Sequence, residues 1–100
     1  MKQQWILTPS RRQSKKWTII TPQGKKIHFG AKGYMDYTEH HDKARQMNYI
    51  IRHEATGMEQ WDNPNTAGFW SKNLLWNLPS LQASIRDTEK KFNIIIKYQD

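Results

Sequence analysis

The sequence predicts a small single α+β domain, a β-hairpin plus a C-terminal strand forming a three-stranded sheet with about three helices packed on it, in the order ββαααβ. Three observations predict it. Residues 16–29 carry a hairpin signature, residues 36–92 hold capped segments of helical period, and the chain closes on a β-branched apolar run.

Residues 1–15 read as an extended basic arm ahead of a domain spanning 16–98. Gln, Pro, Ser, Arg and Lys dominate there, and only Trp5-Ile6-Leu7 offers apolar surface. Such a segment is either a frayed terminus or an arm that orders on a partner. The hairpin follows. Lys16-Trp17-Thr18-Ile19-Ile20-Thr21 and Lys25-Lys26-Ile27-His28-Phe29 are rich in β-branched and aromatic residues. Thr21-Pro22-Gln23-Gly24 between them places Pro second in the turn and Gly where a left-handed residue closes it. Setting Thr21 opposite Lys25 pairs Ile19 with Ile27 and Trp17 with Phe29, all on one face, so turn chemistry and apolar pattern agree on the register.

Gly30-Ala31-Lys32-Gly33 leads out of the hairpin. Asp36-Tyr37-Thr38-Glu39 has the spacing of a capping box, and Asp42 is a second candidate cap. A helix is expected from there to about Ala55, with Ala44, Met47, Ile50 or Ile51, and Glu54 at helical spacing. Residues 56–65, with Gly57 and Asp62-Asn63-Pro64-Asn65, read as a loop. Thr66 then caps a short, nearly all-apolar helix over 67–76, an element that is either central or covered by a partner. Ser80 opens a third helix on which Leu81, Ile85, Thr88 and Phe92 form one stripe. Residues 93–98 form the last strand, and the pattern does not say which hairpin strand it joins.

One hundred residues with 36% apolar composition and no valine make a core of Ile, Leu, Met and rings. Twelve aromatics, five of them Trp, supply most of the buried area. With no cysteine, disulfides, thiolate metal sites and a Cys nucleophile are excluded. No run approaches the ~18 apolar residues of a membrane span, and the opening residues lack a signal-peptide core, so a protein that is not secreted is expected. The net charge of +7 belongs to the N-terminal third: Lys2, Arg11, Arg12, Lys15, Lys16, Lys25, Lys26 and Lys32 all precede the first acid, Asp36. That asymmetry points to a polyanionic partner, and Arg11, Arg12, Lys15, Lys16, Lys25, Lys26 and Lys32 are the candidate contacts. Trp17, His28, Phe29 and Tyr34 are the rings near them that can stack on bases, although the hairpin register commits Trp17 and Phe29 to the core. Trp5, Trp61, Trp70 and Trp76 are the candidate anchors of a protein-docking face, the other reading of which is simply the domain's own core.

Catalytic patterns are absent. His40-His41-Asp42 with His53 and Glu54 is the one cluster that holds metal-ligating types. Adjacent histidines diverge by about 100° on a helix, and His53 lies about 18 Å along the axis from His41, so no metal site and no cofactor are expected. A hairpin followed by a helix with Asn48 and His53 is similar in shape to the ββα-metal nucleases, but His28 alone is available on the hairpin as the base. A non-enzymatic protein is the expectation, with a metal-dependent nuclease as the remote alternative.

Several strings read together carry a resemblance: Ile27-His28-Phe29-Gly30, Asp36-Tyr37-Thr38, Arg52-His53, Trp61, Thr66-Ala67-Gly68-Phe69-Trp70-Ser71, Leu74-Leu75-Trp76-Asn77 and Ser84 to Lys90. Over roughly Trp17 to Ile96 the chain resembles a family of short, uncharacterised proteins encoded by large, nucleocytoplasmic-type double-stranded DNA viruses. It departs from that pattern at Lys72-Asn73 and His40-His41-Asp42. The resemblance implies a viral origin and a virion component, minor capsid or core, in the particle or in the infected cell's cytoplasm or nucleus. Its partners would be viral capsid or core proteins, with nucleic acid contacted through the basic third. A dedicated nucleic-acid-binding protein of viral replication or transcription is the alternative.

Overall fold

The computed structural model describes residues 2–56 and 61–100. It is an α+β fold with a four-stranded mixed sheet in the order β3-β2-β1-β4, not a three-stranded one. The elements are β1 (Gln4–Pro9), β2 (Lys15–Ile20), β3 (Lys26–Ala31), α1 (Tyr37–His40), α2 (Lys43–Thr56), α3 (Ala67–Trp70), α4 (Leu81–Phe92) and β4 (Ile95–Tyr98). A π-helical turn, Ser71–Leu75, continues α3 and closes with the Trp76 N–H on the Ser71 carbonyl. Gly57, part of the loop expected at 56–65, lies outside the described residues.

The β2–β3 hairpin has the expected register: Trp17 pairs with Phe29 and Ile19 with Ile27. Gly24 takes φ +87°, and its N–H bonds to the Thr21 carbonyl at 2.8 Å, the local closure that the turn residues called for. The extra strand comes from the segment expected as an arm. Residues 4–9 pair antiparallel with β2, Leu7 opposite Ile19, and parallel with β4, Trp5 opposite Ile96. The last strand therefore joins neither hairpin strand, because β1 stands between. The reason is burial: Trp5 and Leu7 enter the core at 3% and 0% exposure, so the apolar patch has its partner within the chain.

One face of the sheet carries Trp5, Leu7, Ile19, Ile27, Phe29 and Ile96 against Phe69, Trp70, Leu74 and Leu75. Leu81, Ile85 and Phe92 of α4 pack on that cluster, and Thr88 is fully buried, as the stripe predicts. Gly30 is required where β3 crosses this layer: φ is +80°, and a Cβ would sit 2.8 Å from Leu75 Cδ1. The other face carries exposed Gln4, Lys26, Ile95 and Lys97 and half-buried Ile6, Thr8, Ile20 and His28, none of them part of the core cluster.

The single helix expected after Asp36 is two. Asp36 and Glu39 form the capping box of α1, but His41 turns left-handed at φ 55° and ends it after one turn. Asp42 then accepts from the Ala44 and Arg45 N–H groups and starts α2. α2 packs through Gln46 and Tyr49, while Met47 and Ile51 of the expected apolar stripe are about half exposed. Tyr49 lies flat on Trp76, ring centroids 4.4 Å apart, and that stack, not an aliphatic stripe, seats the helix.

Candidate nucleic-acid interface

The fold gathers part of the basic third and disperses the rest. β1 and β2 are joined by a tight turn at 10–14, held by the Ser10 N–H on the Lys16 carbonyl at 3.0 Å. This turn puts exposed Arg11 and Arg12 beside the uncovered face of the sheet. His28 projects from the middle of β3 on that face, two residues from Lys26. Its Nδ1 lies 2.7 Å from Thr18 Oγ1 and 3.2 Å from Ser10 Oγ, so the ring is tied to β2 and to the 10–14 turn through these hydroxyls. Burial lowers the pKa of His28, and the positive charges of Arg12, Lys26 and Lys15 lower it further. Arg11, Thr18, Lys26 and His28 share an open cleft of about 310 Å³ with Gln99 and Asp100. Asp100 is the acid at its rim.

The remaining candidates stand elsewhere. Lys25 is exposed at the hairpin tip, at the opposite end of β2 from Lys15. Lys32 is exposed in the turn after β3, and its N–H bonds to the Ser14 carbonyl, so it adjoins the 10–14 turn. Lys16 is not available to a partner. Its Nζ is 2.8 Å from Asp36 Oδ2 and also contacts Glu39 Oε1, and only 16% of its side chain is exposed. Sequence reading missed this pairing because Lys16 lies 20 and 23 positions from Asp36 and Glu39 and each carried a sufficient local reading, strand or cap.

Burial alone would lower the pKa of Lys16, but the hydrogen bonds and charges of Asp36 and Glu39 outweigh it and leave the pKa raised. The hydrogen bond from Lys16 in turn lowers the pKa of Glu39. The raised lysine contributes stability in full below its unfolded pKa, and that contribution is lost as pH rises through the folded one. The lowered glutamate contributes above its unfolded pKa, and that contribution is lost as pH falls through the folded one. Asp87, its pKa lowered by the Asn77 hydrogen bond and by Lys91, adds to the acid sensitivity. The urea midpoint is therefore expected to drop on acidification below the carboxylate range. Lys16→Met is expected to cost about 1.5–3 kcal/mol at neutral pH, because Asp36, 4% exposed, keeps its charge without a cation. The variant should also flatten part of the acid dependence. An acid slope identical to that of the parent would show that Lys16 and Glu39 do not interact.

The four tryptophans considered as docking anchors divide by burial. Trp5 and Trp70 are core rings, 5.3 Å apart and closed to any partner. Trp76 is half-buried between His40 and Tyr49. Trp61 is half-buried under the Lys72 ammonium, 5.1 Å from the ring centroid. The metal-ligating types are not brought together either. His40 packs on Trp76, His41 is exposed at its cap, Asp42 caps α2, and His53 lies on Tyr49. Among the described residues no group of three His, Asp or Glu side chains is close enough to hold an ion. His28 stands on the uncovered face, whereas His53 lines a cleft with Phe29 and Leu75 on the other, so the nuclease-like trio does not converge. Among the described residues no helix is long and apolar enough to cross a membrane.

Sequence reading also passed over Arg45 and Arg52. Seven residues apart on α2, they lie two turns along one side of the helix, and the structure sets both beside the exposed Tyr34 and Met35.

No curated protein and no solved structure matches the chain. The match to a family model starts ahead of the Trp17–Ile96 stretch that carries the viral resemblance, stops short of Thr66–Asn77, and does not indicate a viral origin. Over β1, β2, β3, α1 and most of α2 the chain is similar to a family of unknown function, DUF5754, whose model matches residues 5–53.

Proposed function

We propose that the chain is a small non-enzymatic interaction protein that binds nucleic acid through the basic end of its sheet. One observation carries this reading: the helices take one face of the sheet, and on the other, left open, Arg11 and Lys26 line one cleft with His28 beside the exposed Arg12. Cations gathered at one end of a sheet repel one another, and an anion relieves that repulsion. Arg11, Arg12, Lys15, Lys26 and Lys32 are the contacts, whereas Lys16 serves the fold. In the viral setting that the resemblance implies, the partner is the packaged genome or a nucleic acid of replication.

The test is binding of labelled single strands and duplexes at two salt concentrations. Four phosphate contacts predict a salt exponent of about −3.6 on duplex DNA, roughly a hundredfold loss of affinity for a fourfold rise in salt. Arg12→Glu combined with Lys26→Glu should weaken binding with little change in melting temperature, since both side chains are exposed. The His28 ring should titrate at higher pH in the complex, because phosphate neutralises the cations that hold its pKa down. Absence of binding even at low salt would turn the basic face toward an acidic protein, such as a capsid or core neighbour.

A further inference from the structure

We propose that the groove between the Tyr34–Met35 turn and α2 receives unpaired bases of a single-stranded nucleic acid. This rests on the nucleic-acid reading above and adds a second, chemically different surface to it. The groove encloses about 540 Å³, within the range of small-ligand sites. Its walls are Tyr34, Met35 and Ile51, which are 75%, 54% and 56% exposed, with Trp76 between them. Arg45 and Arg52 line it from α2, and among the described residues no carboxylate does.

Large apolar side chains this exposed in a chain of +7 charge call for an occupant that brings both flat apolar surface and negative charge. Tyr34 makes no ring contact among the described residues, so its face is free for stacking. Among the described residues Arg45 makes only a loose exposed pair with Asp42 at 3.8 Å, and the Arg52 Nε–H donates to the Asn48 carbonyl at 3.4 Å. Each guanidinium keeps further N–H donors for phosphate oxygens.

Continuity with the basic end of the sheet favours a nucleic-acid strand over an acidic peptide. Tyr34, Met35 and Trp76 also wall the adjoining cleft that holds Lys15, and Tyr34 and Met35 wall a third cleft with Lys32. The acids on that side, Asp36 and Glu39, are both paired with Lys16. A strand crossing the Tyr34 ridge thus meets cations on both sides of an exposed ring, the alternation by which sequence-tolerant single-strand binders hold phosphates and bases together. A duplex keeps its bases stacked on one another and cannot place one over Tyr34.

The test compares a labelled thymidine oligonucleotide with a duplex of equal length, using the full chain. The parent is expected to prefer the single strand. Tyr34→Ala should cost about tenfold in single-strand affinity and leave duplex affinity unchanged, with Tyr34→Phe close to the parent. Arg52→Gln should reduce the single-strand salt exponent by about one contact's worth. If both nucleic acids bind, show no strand preference and ignore Tyr34→Ala, the groove assignment is overturned while the sheet-face reading stands. If neither binds, both fail. Binding of a labelled glutamate-rich peptide that Tyr34→Ala weakens, with no single strand bound, would assign the groove to an acidic protein instead. All these side chains are exposed, so an unchanged melting temperature is the expected control.

Discussion

A chain beginning at Ser10 is expected not to fold. Residues 4–9 look dispensable in the sequence, but β1 is an interior strand with β2 on one side and β4 on the other. Without it the β2–β3 hairpin stands alone, and β4 loses its sheet partner, including the bonds from the Ile95 N–H to the Gln3 carbonyl and from the Gln99 N–H to the Leu7 carbonyl. Trp5 and Leu7 leave with the strand, and burial of such side chains contributes roughly 1.5–3 kcal/mol each, more for the larger indole. Set against a total of about 5–15 kcal/mol for a domain, that loss plus the ladder hydrogen bonds exceeds what remains. Far-UV circular dichroism and amide NMR dispersion of residues 10–100 read the outcome. A cooperative transition with dispersed amides would return the segment to the status of an arm and place the core elsewhere.

The second large effect is at Trp70, which is fully buried. Its ring lies 5.3 Å from Trp5 and 4.8 Å, edge on, from Phe69, and its Nε1–H donates to the Pro64 carbonyl at 2.8 Å. Trp70→Ala is expected to cost about 3–5 kcal/mol, through lost transfer energy, the cavity left behind and an abandoned carbonyl. In a chain of this size that lowers the melting temperature by roughly 15–30 °C. Trp70→Phe should fall between, since it keeps the ring contacts and loses the hydrogen bond. Trp61→Ala serves as the comparison, because Trp61 is only half-buried beneath Lys72 and should cost far less. Thermal melts of the three variants decide it. A parental melting temperature for Trp70→Ala would mean that the ring is not core and is open to docking.

The hairpin, the caps and the α4 stripe were legible because each is determined by residues a few positions apart. Gly24 closes its turn, Asp36 and Glu39 bond each other's backbone, Thr66 accepts from the Phe69 N–H, and Ser80 accepts from the Ala83 N–H. The apolar run at 67–76 was legible as core, with docking surface as the other reading, and burial of Phe69, Trp70, Leu74 and Leu75 decided for core. The basic end of the sheet was legible as a charge excess and not as a site. Its seven candidates looked alike until the fold assigned Lys16 to Asp36 and sent Lys25 to the far tip.

By itself, then, the sequence determined the α+β class, the register of β2 on β3, the helix starts and the sign of the surface charge. Turn geometry, capping hydrogen bonds and side-chain periodicity act over one to four residues, so they are written locally. Only the tertiary structure decided that residues 4–9 are a strand, that α2 turns its aliphatic stripe outward, and that Tyr34 stands between lysines of the sheet and arginines of a helix. Those outcomes come from pairings such as Trp5 with Ile96 and Tyr49 with Trp76. Their energy depends on surface buried between residues distant in the chain, and local pattern carries no record of which distant surface will be there.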